Sequence, residues 1–369
     1  MMNYRLAYHY LCIAFLAVAA CLCLVDGAPQ TSSGAHRVSL QARNTLYTKA
    51  MFAAAVSRVA GLRITGHPKT DNAALYLAHG IFQGRAVFVK CTTHTGFYEQ
   101  EAKLLKYLDT ITPQSIGMNK EDRELIVRAY DTTKILPGLP CFMLSSFEGA
   151  LDLIDFTKSK SADERVALMY HLIPQIMRGL IYLHLAKIAH RDVKPEKIAD
   201  GSTVAPDVIV GMVAGRPRVM IIDLDHAIHF TNEVGAVTKG TRAFMSPQHY
   251  PPVGQPNMQP QIHYPKSDSW ALGILLYVVL YQAYPYAYYD TGERWKLLSE
   301  GKITTQMQSV LDTKQHAYDD AGFAIDELTL ENHTKHAALY ELMEQLLEID
   351  EEQRHTLQYL YANWQTNHS

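Results

Sequence analysis

The chain has 369 residues, 48% of them apolar, with 34 Lys and Arg against 37 Asp and Glu and no long run of either sign. That is ample material for one large domain or two packed lobes, and the near-neutral balance excludes the basic footprint of a nucleic-acid or anionic-membrane binder. The 17 histidines are scattered, and the close pair His226 and His229 lacks further metal-type spacing, so they read as ordinary surface or core residues.

At the N-terminus, "MMNYRLAYHY" carries Arg5, "LCIAFLAVAACLCLV" (Leu11 to Val25) is unbroken apolar, and Val25 and Gly27 are small residues at its exit. This pattern describes a secretory signal peptide over residues 1–27, and so a secreted protein. The apolar run is shorter than the ~20 residues of a spanning helix. An uncleaved signal anchor is the alternative, and it is the one route to a membrane. Cleavage would remove Cys12, Cys21 and Cys23 and leave Cys91 and Cys141, too few for a disulfide scaffold. The sequon "NHT" makes Asn332 a glycosylation candidate; "NHS" at Asn367 is weaker because it lies at the chain end.

Residues 28–60 form an N-terminal extension, polar at first and then helical in pattern over "YTKAMFAAAVSRVA". From 61 to 147 short strand-type runs dominate ("LYLAHGIF", "RAVFVKC", "CFMLSSF"), interrupted by the helical "FYEQEAKLLKYL". From 148 to 366 long apolar-periodic helices take over, among them "ERVALMYHLIPQIMRGLIYLHLA", "DSWALGILLYVVLYQA" and "HAALYELMEQLLEID". The expected fold is α+β and bilobal, a small strand-rich lobe followed by a larger helical one, with a cleft between them. The proline-rich stretch Tyr250 to Pro265 reads as an exposed loop and a possible surface for a protein partner.

Five motifs occur in a set order: "VFVK", "HRDVKPEK", "IIDLD", "GTRAFMSPQ" and "KSDSWALG". Together they resemble the protein kinase family over roughly Gly61 to Trp364. The resemblance implies ATP and Mg²⁺ as ligands. Lys90 would hold phosphate, with Glu101 as its ion-pair partner and Glu99 as the fallback. Asp192 would take or orient the substrate hydroxyl proton, Lys194 would sit beside the transferred group, and Asp223 would carry Mg²⁺. Lys194 with Thr241 resembles the serine/threonine class. His190, Arg191, Asp268 and Arg354 would brace the catalytic segment and the helical lobe, and Met143 would be the gatekeeper of the base pocket.

The departures concern the same ligand. Lys197 stands where an asparagine should hold a second Mg²⁺, and an ammonium cannot ligate a cation. Asp225 replaces the glycine of the DFG-like triplet. Pro68, Thr70 and Ala73 stand where the phosphate loop should have glycines. Phe88 replaces the small roof of the adenine site and Ala199 its large floor, so the phenyl ring would plug the pocket unless it points elsewhere into the core. About thirteen extra residues around "GSTVAPDVIVGMVAGRP" read as a surface insertion, and Gln248 replaces the glutamate expected to pair with Arg354. Cys91 should face away from the cleft and Cys141, sharing parity with Met143, into it. Opposite faces argue against a disulfide, a conclusion that a one-residue shift of Met143 would reverse. The leading expectation is a secreted pseudokinase acting as a binding or scaffold module through protein partners. The alternative is an active, divergent serine/threonine kinase of the secretory pathway.

Overall fold

Period-two apolar patterning governs the first lobe. The computed structural model describes residues 49–65, 69–71, 75–136, 139–195, 207–236, 239–249, 259–282, 337–348 and 350–368. The expected signal peptide, Pro68, Ala73, Lys197, Ala199, Asn332 and most of the proline-rich stretch (250–258) lie outside those residues. Strands β1 (Leu62–Ile64), β2 (Lys69–Asp71), β3 (Leu75–Phe82), β4 (Arg85–Thr92), β5 (Ala129–Leu136) and β6 (Leu139–Ser145) make one antiparallel sheet, ordered β1-β3-β4-β6-β5, with β2 also paired to β3. Gln83 and Gly84, at φ 49° and 78°, close the β3–β4 hairpin between Phe82 and Arg85. Two left-handed residues give a turn whose twist matches that of the strands it joins.

Alternation sends Leu77, Phe88, Phe142 and Leu144 to the face that meets the second lobe. Tyr76, Val87, Val89, Cys91, Cys141 and Met143 go to the opposite face, where helix α1 (Lys49–Val56) covers them with Phe52 and Val56. Phe52 stacks on Tyr76 with ring centroids 5.0 Å apart. This corrects the parity read from sequence. Met143 faces α1, not the base pocket, and the residues of β6 that face the cleft are Phe142 and Leu144. Cys91 and Cys141 are therefore register partners on one face and form a disulfide, contrary to the expectation of opposite faces. The bond closes a loop with a sequence separation of 50. Replacing Cys141 by Ser should lower the unfolding free energy by about 2–4 kcal/mol in denaturant titration. An unchanged midpoint would mean the bond adds no stability.

Helix α2 (Thr95–Thr110) buries Glu101, Leu104, Leu105 and Leu108 along one stripe. The short α3 (Lys120–Arg123) follows, and a capping box between Asn119 and Asp122 starts it. Beyond β7 (Leu151–Asp152) and α4 (Leu153–Thr157), the second lobe is built on α5 (Ala162–Leu185), opened by a capping box between Ser161 and Glu164. By length and composition α5 could cross a membrane, but here it is a largely buried core helix. Next come β8 (Ile188–Ala189), β9 (Val208–Val213), β10 (Arg216–Ile221), β11 (Ile228–His229), β12 (Val234–Gly235) and β13 (Ile262–His263). Helices α6 (Tyr264–Tyr281), α7 (Ala337–Leu346) and α8 (Leu357–His368) complete the described elements.

Two further expectations change here. Residues 208–213, read as part of a surface insertion, form β9, which pairs with both β10 and β7; Val208, Ile209 and Val210 are fully buried. The end of the proline-rich stretch is not a loop either. Ile262 is buried in β13, and Pro265 sits in the first turn of α6, where its missing N–H costs nothing.

Candidate active site

The parity of β4 that turns Cys91 outward turns Lys90 toward the cleft. Lys90 Nζ lies 2.6 Å from Glu101 Oε2, 2.6 Å from Asp223 Oδ1 and 3.9 Å from Asp225 Oδ2. Glu101 Oε1 also accepts the Leu224 N–H at 3.2 Å. One buried network thus ties β4, α2 and the 223–225 turn together, while Glu99, the fallback partner, is exposed. Burial pushes Glu101 up to about 7 despite Lys90. It also pushes Asp223 up, but Lys90 and Lys194 outweigh it and hold that carboxyl at about 2. Burial and the neighbouring Asp223 raise Asp225 to about 6. Of the triplet 223–225, Asp223 has the positive φ, at 63°. The left-handed residue of the triplet is therefore two residues before Asp225, the one that replaces the glycine.

The catalytic segment follows β8, which pairs with β11. Asp268, buried in the first turns of α6, accepts the N–H of His190 at 2.9 Å and of Arg191 at 2.7 Å, and bonds His184 Nε2 at 2.8 Å. His190 Nε2 lies 3.1 Å from the Ile222 carbonyl, and Arg191 Nε donates to the His226 carbonyl at 2.8 Å. These contacts hold Arg191 at φ 67°, a strained conformation for a residue with a side chain. Asp192 accepts the Thr241 N–H on one oxygen and pairs with Lys194 through the other. Gly240, at φ 120°, permits this approach, since a Cβ there would lie 2.2 Å from the Arg191 carbonyl oxygen. Arg354 Nη2 donates to Gln248 Oε1 at 3.0 Å, Nε to the Glu348 carbonyl at 2.7 Å, and the guanidinium lies over the Trp270 ring.

Phe88 faces the cleft and is 3% exposed. Its ring lies 5.1 Å from that of His79, and it shares a hydrophobic cluster with Leu77, Leu144, Ile209 and Met220. Two residues that matter here were missed in the sequence. Asp207, immediately before β9, places Oδ2 2.9 Å from Lys194 Nζ, and its Oδ1 is a buried acceptor without a donor among the described residues. Ile209, buried in β9, belongs to the same hydrophobic core as Phe88. The signal was "PDVIV", an acid before a continuous apolar run, which is how a strand buried on both faces reads.

Among the described residues no group of three or more His, Cys, Asp or Glu is arranged to hold a metal by itself. Mg²⁺ does not require one, since it is usually held by one or two carboxylates with phosphate oxygens and water. The oxygen-only donors at this centre and a buried acceptor lacking a donor fit that ion.

Comparison with known proteins agrees with this geometry. Residues 83–364 match the protein kinase domain family. The chain is similar to serine/threonine-protein kinase Aurora-2 of Arabidopsis thaliana, 25% identical over 190 residues, or 52% of this chain and 57% of that protein. It is 31% identical over 140 residues to human death-associated protein kinase 2, covering 37% of this chain and 32% of the relative. Mitogen-activated protein kinase kinase 2 of Arabidopsis thaliana is 28% identical over 192 residues, 51% of this chain and 45% of its own. The chain therefore spans between about a third and just over half the length of these relatives. The matched region holds the ion-pair network, the braced catalytic segment and the first lobe from β4 onward with the second lobe, and the chain belongs to the protein kinase domain family.

Proposed function

We propose that this protein is a serine/threonine-type protein kinase, transferring a phosphoryl group from ATP to protein hydroxyls in the secretory pathway. One observation carries the reading: Glu101, Lys90 and Asp223, and beside them Asp192, Lys194 and Asp207, form buried, mutually paired networks. Each buried ion costs several kcal/mol in desolvation, a cost that a pure binding module has no reason to carry at this place. Left-handed backbone at Arg191 and Asp223 adds about 1–3 kcal/mol of strain each on the same segments.

In this reading Lys90, aimed by Glu101, holds phosphate, and Asp192 takes the proton of the incoming hydroxyl. Lys194, which spans Asp192 and Asp207, steadies the transferred group. Asp223 would hold Mg²⁺, which when bound neutralises phosphate charge during transfer. The purified chain should incorporate labelled phosphate into protein substrates and gain thermal stability from ATP with Mg²⁺ by mass action. No stabilisation at millimolar ATP overturns the reading. The secretory assignment rests on the basic, apolar and small-residue order of the first 27 residues, and the Cys91–Cys141 disulfide supports it, since such bonds persist in oxidising compartments. Secreted material should begin near Ala28. An unprocessed chain retained in the cytosol would remove that part.

Phe88 favours a second reading, a pseudokinase that holds a protein partner and has no need of ATP. The ring is buried, faces the cleft and belongs to the same hydrophobic core as Leu77, Leu144 and Ile209, so it can stand in the hydrophobic stack in place of a base. Phe88→Ala should destabilise the chain by about 3–5 kcal/mol. If the ring is a plug, ATP stabilises Phe88→Ala but not the parent chain. Equal ATP shifts in both would exclude the plug.

A further inference from the structure

The residues inserted before Asp207 bear on which residue stands at the second cation position. Lys197 was assigned to that position by counting from Asp192. The count assumes that the buried strand following the catalytic segment begins directly after residue 197. It begins at Val208, so the residue that enters the strand is Asp207. Residues 196–206 lie between Pro195 and that point in the chain.

The surroundings of Asp207 fit a cation ligand. The residue is 1% exposed, Oδ2 pairs with Lys194, and Oδ1 has no hydrogen-bond donor among the described residues. Leaving such an acceptor unpaired is costly, unless something outside the chain supplies the missing partner. The balance of charge points the same way. Glu101, Asp192, Asp207, Asp223 and Asp225 are in ion-pair contact with two ammonium groups, those of Lys90 and Lys194. The carboxyl groups outnumber the ammonium groups, an imbalance that a cation would reduce. Lys194 links the two acids: its Nζ lies 2.9 Å from Asp207 Oδ2 and is also held by the charge of Asp223.

We propose that Asp207, together with Asp223, forms a divalent-cation site, and that Lys197 takes no part in it. The proposal rests on the reading of this centre as a nucleotide-phosphate site. It deepens that reading, because a carboxylate in place of a neutral amide adds a full negative charge and should favour the ion more strongly. The large floor contributed by Ile209, two residues further along, follows from the same shift of register.

The test is a titration of the full chain with Mn²⁺, followed by loss of the free-ion electron paramagnetic resonance signal, with ATP present and absent. The parent chain should take up a second Mn²⁺ in the presence of ATP. Asp207→Leu should weaken that uptake by at least about tenfold. Asp207→Asn, which keeps an oxygen donor, should retain most of it, and Lys197→Leu should leave it unchanged. Weakening by Lys197→Leu, or identical curves for Asp207→Leu and the parent, overturns the proposal, as does a parent chain that takes up no second ion. Because Asp207→Leu also removes a partner of Lys194, its unfolding midpoint is measured alongside. If the variant is not folded, Asp207→Asn set against Asp207→Ser supplies the same comparison. The outcomes separate from those for kinase activity. A chain that takes up Mn²⁺ through Asp207 but transfers no phosphate sinks the kinase reading alone. One that transfers phosphate with unaltered Mn²⁺ uptake in Asp207→Leu sinks this proposal alone.

Discussion

Asp192→Asn should reduce phosphate transfer to protein by about 100- to 10,000-fold, the range that a positioned general base contributes. The substitution is close to isosteric, and its effect on the fold should be small. The amide oxygen can still accept the Thr241 N–H, and Lys194 keeps Asp207 as a partner 2.9 Å away. What disappears is the anionic oxygen that pairs with Lys194, and with it the capacity to accept a hydroxyl proton. ATP-dependent stabilisation should survive, because Lys90 and Asp223 are untouched. Transfer at the parent rate by this variant would show that the incorporated phosphate comes from another site or a contaminant.

The second large effect is structural. Asp268→Ala should cost about 3–5 kcal/mol of unfolding free energy, read from the denaturant midpoint. Its carboxylate is fully buried and is the acceptor for two consecutive backbone N–H groups, those of His190 and Arg191, as well as the partner of His184. Removing it strands those donors where water does not replace them. Asp268→Asn keeps one acceptor oxygen and should lose less. Burial alone would raise the Asp268 pKa, but its bond to His184 and its other partners outweigh burial and hold it below the ordinary 3.8. Its contribution is therefore complete above pH 3.8 and is lost as the pH falls through the lower folded value. Acid, not base, should narrow the gap between Asp268→Ala and the parent. A loss below about 1 kcal/mol would mean the catalytic segment is braced by other contacts.

Much of this architecture was legible in the residues. The resemblance named Glu101, with Glu99 as fallback, together with Lys90, Asp192, Lys194 and Asp223, and the fold buries Glu101 on α2 and brings these residues together. Two things were not legible. Strand parity has a period of two, so misplacing Met143 by one residue inverted a whole face of β6 and separated two cysteines that are bonded. The position of an insertion leaves no local mark either. "KPEK" continues a familiar motif, yet the described strand that follows it begins only at Val208, eleven residues after Lys197. Val208, Ile209 and Val210 are buried there, which the reading of this stretch as a surface insertion did not foresee.

Helix α1 sets a practical limit on where this domain can be cut. The boundary drawn at Gly61 follows the first strand, and the family match begins later still, at residue 83. Yet Phe52 and Val56 lie over Tyr76, Val89, the Cys91–Cys141 bond and Met143. A fragment beginning at Gly61 would bare that whole sheet face to solvent, a contiguous apolar patch of the kind that drives self-association. Its insolubility would be mistaken for an unstable kinase fold, when the missing piece is an eight-residue lid upstream of every recognised motif.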